Sequence, residues 1–258
     1  MTKTALITGA SSGIGAEFAR HHAKKGGDLV IVARRKEALE ALKTELESAH
    51  NVTVHVIAAD LAADGAAEKL HADVTALGVK IDYLINNAGF GGHGSHIERD
   101  LSAEQSMIDL NVSALVGLTH AFANDMVKNG GGKILQVGST AGFMPGPQQA
   151  VYFATKAFVN SFSQAIDQEL RSKGVTSTVL APGYVETEFA KAADLDGTDL
   201  VKQKGRSAAF TAKLGYEGMK AGKLVVFNEA GLSFMLNWLV PFMPRRAVLK
   251  MVDRMQSK

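Results

Sequence analysis

Cysteine is absent from this chain of 258 residues, and neither sign of charge is in large excess. Without cysteine, disulfide bonds and thiolate metal sites are excluded. This absence leaves the compartment open but is compatible with a reducing cytosol, and a cytoplasmic location is expected. The 28 Lys and Arg residues nearly balance the 26 Asp and Glu residues, which argues against a nucleic-acid partner. The chain also lacks a run of about 20 apolar residues, so no membrane-spanning helix is predicted.

Short apolar runs alternate along the chain with longer amphipathic runs. This alternation is typical of βαβ units and a parallel sheet. Strands are predicted at Thr4–Thr8, Asp28–Ala33, Val52–Ala58, Asp82–Ile85, Lys133–Val137, Val175–Leu180 and Leu224–Phe227. Helices are predicted at Gly13–Lys25, Lys36–Ala49, Asp64–Leu77, Ala103–Lys128, Val151–Lys173 and Ser207–Ala221. We therefore expect an α/β fold, a Rossmann-type doubly wound parallel sheet of seven strands, in a single domain over residues 1–258.

Two stretches interrupt this alternation. Residues 184–206 are polar and occupy a place where a substrate lid could be inserted. Residues 230–258 combine an apolar part around Trp238 with a basic tail, and they predict a C-terminal helical extension. We expect this extension to cap a pocket or pack on another subunit; a less favoured alternative is contact with a membrane surface through residues 232–258.

A glycine-rich turn follows the first predicted strand and leads into the first predicted helix. Such a turn permits close approach of the backbone to a pyrophosphate, and the helix N-terminus offers unpaired N–H groups. A merely compact loop is the alternative, but the strand–turn–helix context favours nucleotide binding. The candidate residues of this turn are Gly9, Ser11, Ser12, Gly13, Ile14 and Gly15.

The end of the second predicted strand reads Ala33, Arg34, Arg35. An acidic residue at this place would bind a ribose 2′-hydroxyl and repel a 2′-phosphate. A guanidinium instead pairs well with a phosphate. The sequence therefore favours NADP(H) over NAD(H), with Arg34 as the main ligand and Arg35 beside it.

Tyr152 and Lys156 are four residues apart in a predicted helix, and Ser139 lies upstream. Residues four apart share a helix face. A phenol titrates near pH ~10, and a nearby cation favours its ionised form. The pair therefore predicts a general acid/base with a lowered phenol pKa.

In their order along the chain, these motifs and several others resemble the short-chain dehydrogenase/reductase superfamily over about residues 3–190. The other motifs are Asp60-Leu61, Asn86-Asn87-Ala88-Gly89, Asn111, Gly138-Ser139 and Pro182-Gly183-Tyr184-Val185-Glu186-Thr187. The resemblance implies a homodimer or homotetramer. It further implies cofactor contacts by Asp60, Leu61, Asn87, Ala88, Gly89, Tyr152, Lys156, Pro182, Gly183, Val185 and Thr187.

The resemblance also implies a catalytic set made of Asn111, Ser139, Tyr152 and Lys156. Ser139 would orient the substrate oxygen, Tyr152 would protonate it, Lys156 would bind the nicotinamide ribose, and Asn111 would support a water relay. The expected activity is interconversion of a ketone or aldehyde and its alcohol. The alternatives are a 3-oxoacyl or hydroxysteroid reductase and a non-catalytic nucleotide sensor.

A lipophilic or bulky small-molecule substrate is expected from the apolar pocket candidates. The substrate-binding candidates are Ser139, Phe90, Phe143, Met144, Tyr152, Tyr184 and Phe189. His93 and His96 are interpreted as part of a loop near the substrate, because further ligands at metal spacing are lacking. No metal site is predicted, and His21 and His22 are expected at the surface.

Overall fold

The computed structural model describes residues 2–202 and 204–258. Met1 and Gln203, the latter inside the predicted lid, lie outside the described residues. Seven parallel strands form one sheet: β1 Thr4–Thr8, β2 Asp28–Ala33, β3 Val54–Ala58, β4 Tyr83–Asn86, β5 Gly132–Val137, β6 Val175–Ala181 and β9 Val225–Phe227. Their order in the sheet is β3-β2-β1-β4-β5-β6-β9. Two further short strands, β7 Val185–Glu186 and β8 Arg206–Ser207, pair with each other. The predicted doubly wound sheet is confirmed.

Helices cover both faces of the sheet. They are α1 Gly13–Ala23, α2 Lys36–Ala49, α3 Ala66–Ala76, α4 Leu101–Ile108, α5 Leu115–Lys128, α6 Ala150–Leu170, α7 Phe189–Ala192, α8 Asp199–Lys202, α9 Ala208–Lys220, α10 Ala230–Phe234 and α11 Arg245–Gln256. Side chains alternate between the two faces of each strand. In β1, Ile7 packs with the cluster under α1 and α9, whereas Leu6 packs with the cluster under α3 and α5.

The order of strands reverses between β1 and β4, since β1 continues to β2 and β3 while β4 continues to β5 and β6. In open α/β sheets, the crevice outside the carboxyl ends of the strands at this switch point is where ligands bind. The glycine turn after β1 and the loop after β4 both lie there. The topology therefore brings the predicted nucleotide motifs to one edge of the sheet.

Two predicted features differ from the structure. The predicted helix over 103–128 is two α-helices joined by a π-helical segment at Asp109–Ala114. His22 is buried instead of exposed: its ring contacts the Tyr216 hydroxyl at 2.7 Å and the Lys3 carbonyl oxygen at 2.9 Å. These bonds satisfy both ring nitrogens, which is why a polar side chain is tolerated inside the core.

The polar stretch 184–206, the predicted lid region, contains short elements of secondary structure. β7 and β8 pair with each other, and α7 and α8 lie between them. The extension after residue 229 folds as α10, a π turn, a 3₁₀ turn and α11. Within the described residues, no helix is both long and apolar enough to cross a membrane.

Candidate active site

A cavity of about 570 Å³ opens at the carboxyl edge of the sheet and contains nearly all of the predicted site residues. Its predicted lining residues are Gly9, Ser11, Ser12, Gly13, Ile14, Arg34, Arg35, Asp60, Leu61, Asn87, Ala88, Gly89, Phe90, Ser139, Met144, Tyr152, Lys156, Pro182, Gly183, Tyr184, Val185, Thr187 and Phe189. Asn111, Phe143 and Gly15 do not line it. One concave site therefore collects residues that are up to 180 positions apart in the chain.

The glycine turn forms one end of the cavity. Gly9 has a φ of 68°, in the left-handed region, and a Cβ there would lie 2.8 Å from Asn87 Nδ2. Gly15 has a packing role: a Cβ at this position would come within 2.2 Å of the Gly9 carbonyl oxygen. The first turn of α1 carries no acidic side chain, so the positive end of its dipole faces the turn uncompensated. An anionic pyrophosphate fits this end of the cavity.

The two arginines after β2 have different surroundings. Arg34 is exposed and lines the cavity. Arg35 is held across the glycine turn, with its Nε 3.3 Å from Ser11 Oγ and one terminal nitrogen 3.1 Å from Glu188 Oε2. Arg35 therefore connects the turn to the segment that follows β7. Both arginines line the cavity, and Arg34 stays the main candidate ligand of a phosphate there.

Tyr152, Ser139 and Lys156 meet at the other end of the cavity, and all three are buried. Helix α6 presents Tyr152 and Lys156 on one face, and Lys156 Nζ lies 5.8 Å from the centroid of the phenol ring. Lys156 Nζ donates to the Val137 carbonyl oxygen at 2.9 Å. Ser139 follows β5, and its hydroxyl accepts a bond from the Ala141 N–H at 3.0 Å. The catalytic candidates thus sit on the ends of a strand and a long helix.

Burial controls the protonation of this pair. It raises the pKa of Tyr152 to about 12, an effect opposed by a hydrogen bond with Ser139. It also lowers the pKa of Lys156 to about 8. The phenol is therefore fully protonated at neutral pH, in contrast to the lowered pKa expected from its lysine neighbour. The reason is that loss of hydration disfavours the charged form of both groups, and Lys156 is directed at a carbonyl.

Asn111 is buried behind the cavity wall, in the π-helical segment. Its Oδ1 accepts from the Phe90 N–H at 3.1 Å, and its Nδ2 donates to the Phe90 carbonyl oxygen at 2.9 Å and to Thr155 Oγ1 at 3.1 Å. The amide thereby fixes the backbone of the loop after β4 against helix α6. Phe90 in turn lines the cavity, so Asn111 acts on the site through this loop.

The cavity next to Tyr152 is mainly apolar, and residues of the predicted lid region and of the C-terminal extension line it. Phe189 packs on Tyr152 with ring centroids 5.5 Å apart, whereas Phe143 packs on Phe227 at 5.2 Å and lines a separate groove. The lining residues that were missed include Gln149, Phe153, Leu195, Leu200, Val252, Met255 and Gln256. The interruption of the βα alternation at 184–206 and 230–258 was the available signal for five of them.

A model of the short chain dehydrogenase family matches residues 3–197. The chain belongs to the short-chain dehydrogenase/reductase family. A sulfoacetaldehyde reductase of Chromohalobacter salexigens is 42% identical over 191 residues, which are 73% of this chain and 75% of that protein. Residues 198–258, which include Leu200, Val252, Met255 and Gln256 of the cavity wall, lie outside the family match.

Two solved structures extend the likeness over most of the chain. A short-chain dehydrogenase from Sphingobium yanoikuyae in complex with NADPH has a TM-score of 0.85 and 32% identity, covering 92% of this chain and 91% of that one. A bulky-bulky ketone specific alcohol dehydrogenase from Comamonas testosteroni has a TM-score of 0.78 and 29% identity, covering 95% and 98%. Both chains match this one beyond residue 197, into the segments that close the cavity.

Proposed function

We propose that this short-chain dehydrogenase/reductase interconverts a lipophilic ketone or aldehyde and the corresponding alcohol with NADP(H). The observation that carries the proposal is the buried phenol of Tyr152, which lies beside Ser139 and Lys156 in the cavity that the glycine turn also lines. A cavity that combines a nucleotide-binding turn with a protonated acid suits carbonyl reduction.

When bound, NADPH supplies the hydride that reduces the carbonyl carbon. Tyr152 donates its phenolic proton to the carbonyl oxygen, because its raised pKa keeps that proton in place at neutral pH. The Ser139 hydroxyl orients the oxygen and stabilises the negative charge that develops there. Lys156 would hold the ribose of the cofactor with its ammonium group. Asn111 keeps the loop of Phe90 in position, and its support of a water relay remains a prediction.

The preference for NADP(H) rests on the residues that end β2. No carboxylate follows Val32 at this place, and Arg34 is exposed on the cavity wall. A guanidinium pairs with the 2′-phosphate of NADPH, which NADH lacks. The NADPH bound to the Sphingobium relative supports the same choice.

The apolar walls support a carbonyl compound with a bulky or extended hydrocarbon part. Phe90, Met144, Phe153 and Phe189 surround the space next to Tyr152. Such side chains favour apolar ligand surface, roughly in proportion to the area that is removed from water. The ketone specificity of the Comamonas relative points in the same direction.

Replacing Tyr152 by Phe tests the proposal with NADPH and a panel of ketones and aldehydes of graded bulk. We expect turnover to fall by about a thousandfold or more, since the proton donor is lost, while NADPH binding is retained. Tyr83→Phe is the matched control, because this half-buried phenol lies on β4 away from the cavity. Full activity of Tyr152→Phe would remove the proton donor from the mechanism and overturn the proposal.

A further inference from the structure

The segment after residue 229 has two apolar faces, and only one of them is packed. Leu236 and Val240 face inward and are each 2% exposed, in the cluster that surrounds Tyr152 and Phe153. Phe234, Trp238 and Phe242 face outward and are 61%, 66% and 81% exposed. Both sets repeat every four residues, so each forms a stripe along the helical turns.

A helical segment that is apolar on all sides is normally buried on all sides. Here the outer stripe is enlarged by Leu239, which is 49% exposed, and by Leu249 on α11. Large aromatic side chains that are exposed together in this way mark a surface that binds a membrane or another protein. Trp238, at the middle of the stripe, is of the residue type that concentrates at membrane–water interfaces.

Basic residues accompany this outer face. Residues 230–258 contain five Lys and Arg residues against one acidic residue, Asp253, although the whole chain has 28 against 26. Arg245, Arg246, Lys250 and Arg254 are all exposed on α11. The remainder of the chain is therefore net negative, and the positive charge is concentrated in the segment that carries the aromatic stripe. A negatively charged apolar surface complements this face.

We propose that the outer face of residues 234–254 docks on a membrane containing anionic lipids. The aromatic stripe enters the headgroup boundary, and the arginines and lysine of α11 pair with lipid phosphates. A second copy of the chain is a poorer occupant, because a twofold interface would place the same basic cluster on both sides. The docking does not depend on the proposed reaction.

Docking of this face on a membrane gives a lipophilic substrate a route from the bilayer to Tyr152. A groove of about 580 Å³ lies between the loop after β5 and α11, and Arg245 and Leu249 line it. Met144 and Phe153 line both this groove and the catalytic cavity. A carbonyl compound dissolved in the bilayer would meet the groove at the docked surface and reach the cavity past these two side chains.

The single tryptophan of the chain is a built-in probe of the docking. We expect vesicles of phosphatidylcholine with 30% phosphatidylglycerol to shift the Trp238 emission to the blue and to co-sediment the full-length protein. Vesicles of phosphatidylcholine alone should bind at least tenfold more weakly, and high salt should release the protein, because it screens exposed charges. Equal binding to both kinds of vesicle, or none to either, would overturn the proposal.

Two pairs of variants separate the contributions of the stripe and the charges. Phe234→Ser with Phe242→Ser should weaken vesicle binding at least tenfold, whereas Ile97→Ser, an equally drastic change at another exposed apolar residue, should not. The double variant Arg245→Glu with Arg246→Glu should also weaken vesicle binding at least tenfold, whereas the control double variant Lys173→Glu with Lys223→Glu should not. A blue shift that depends on protein concentration without vesicles, with sedimentation as a larger species, would assign the face to a second copy instead.

Discussion

Replacing Arg34 by Ala gives the sharpest test of cofactor recognition. Arg34 follows the last residue of β2 and is exposed on the cavity wall. NADPH differs from NADH by the 2′-phosphate on the adenosine ribose, so removing a guanidinium that reads this phosphate should affect NADPH alone. In Arg34→Ala, NADH binding should remain almost unchanged, because the ribose 2′-hydroxyl of NADH is uncharged and gains little from a cation at this place.

The expected magnitude follows from the exposure of Arg34. A hydrogen bond to a charged group contributes about 1.5–3 kcal/mol, and solvent screening reduces this at an exposed side chain. A loss of about 1.5–2.5 kcal/mol corresponds to about a tenfold to seventyfold fall in kcat/KM for NADPH. A fall much larger than this would require contacts that an exposed residue cannot make.

The assay compares kcat/KM for NADPH and NADH in the wild type, in Arg34→Ala and in Arg35→Ala. Arg35→Ala is the control with the same loss of charge, and it should lower both values together, because Arg35 bonds to Ser11 and Glu188 and supports the turn that both cofactors use. If Arg34→Ala lowers both values equally, the reasoning from the end of β2 is refuted. If only Arg35→Ala discriminates, the phosphate contact belongs to Arg35.

Three further predictions follow from burial and packing. Because burial lowers the pKa of Lys156 to about 8, kcat/KM for NADPH should fall as the pH rises through this value, and Lys156→Arg should remove that fall, because a guanidinium stays charged. Gly15→Ala should weaken cofactor binding at least tenfold, since its Cβ would lie 2.2 Å from the Gly9 carbonyl oxygen, whereas Gly231→Ala, with nothing within 4 Å, should not, as fluorescence titration with NADPH would measure. Burial lowers the pKa of His22 below 6.5, so as the pH falls below 6.5 the unfolded chain binds a proton that the folded chain excludes. The free energy of unfolding, measured with urea, should therefore fall by up to about 1.4 kcal/mol per pH unit below pH 6.5, and this fall should be smaller in His22→Gln.

Much of the fold could be predicted because its strands are buried on both faces. Continuous apolar runs such as Asp28–Ala33 are typical of parallel strands, and the structure ends β2 at the predicted residue. The structure brings the cofactor-binding candidates after β1, β4 and β6 together at one sheet edge, and their role as ligands stays a prediction. The single domain over residues 1–258, the cytoplasmic location and the homodimer or homotetramer stay predictions.

What the sequence could not show were features set by contacts between distant residues. The π-helical segment at Asn111 coincides with bonds from its amide to Phe90, a loop more than 20 positions away. His22 looked like a surface residue because its partners, Lys3 and Tyr216, come from the two ends of the chain. Phe143 was expected in the cavity, yet its ring packs on Phe227 at the end of β9.

The protonation of Tyr152 depends on a part of the chain that the family match does not include. Leu236, Val240, Val248 and Val252 pack in the same cluster as the phenol, and the match ends at residue 197. Burial is the largest cause of the raised pKa of Tyr152, so these residues help to keep its proton in place. The raised pKa of the Tyr152 phenol therefore reflects packing by the C-terminal segment as well as by the part of the chain that matches the family.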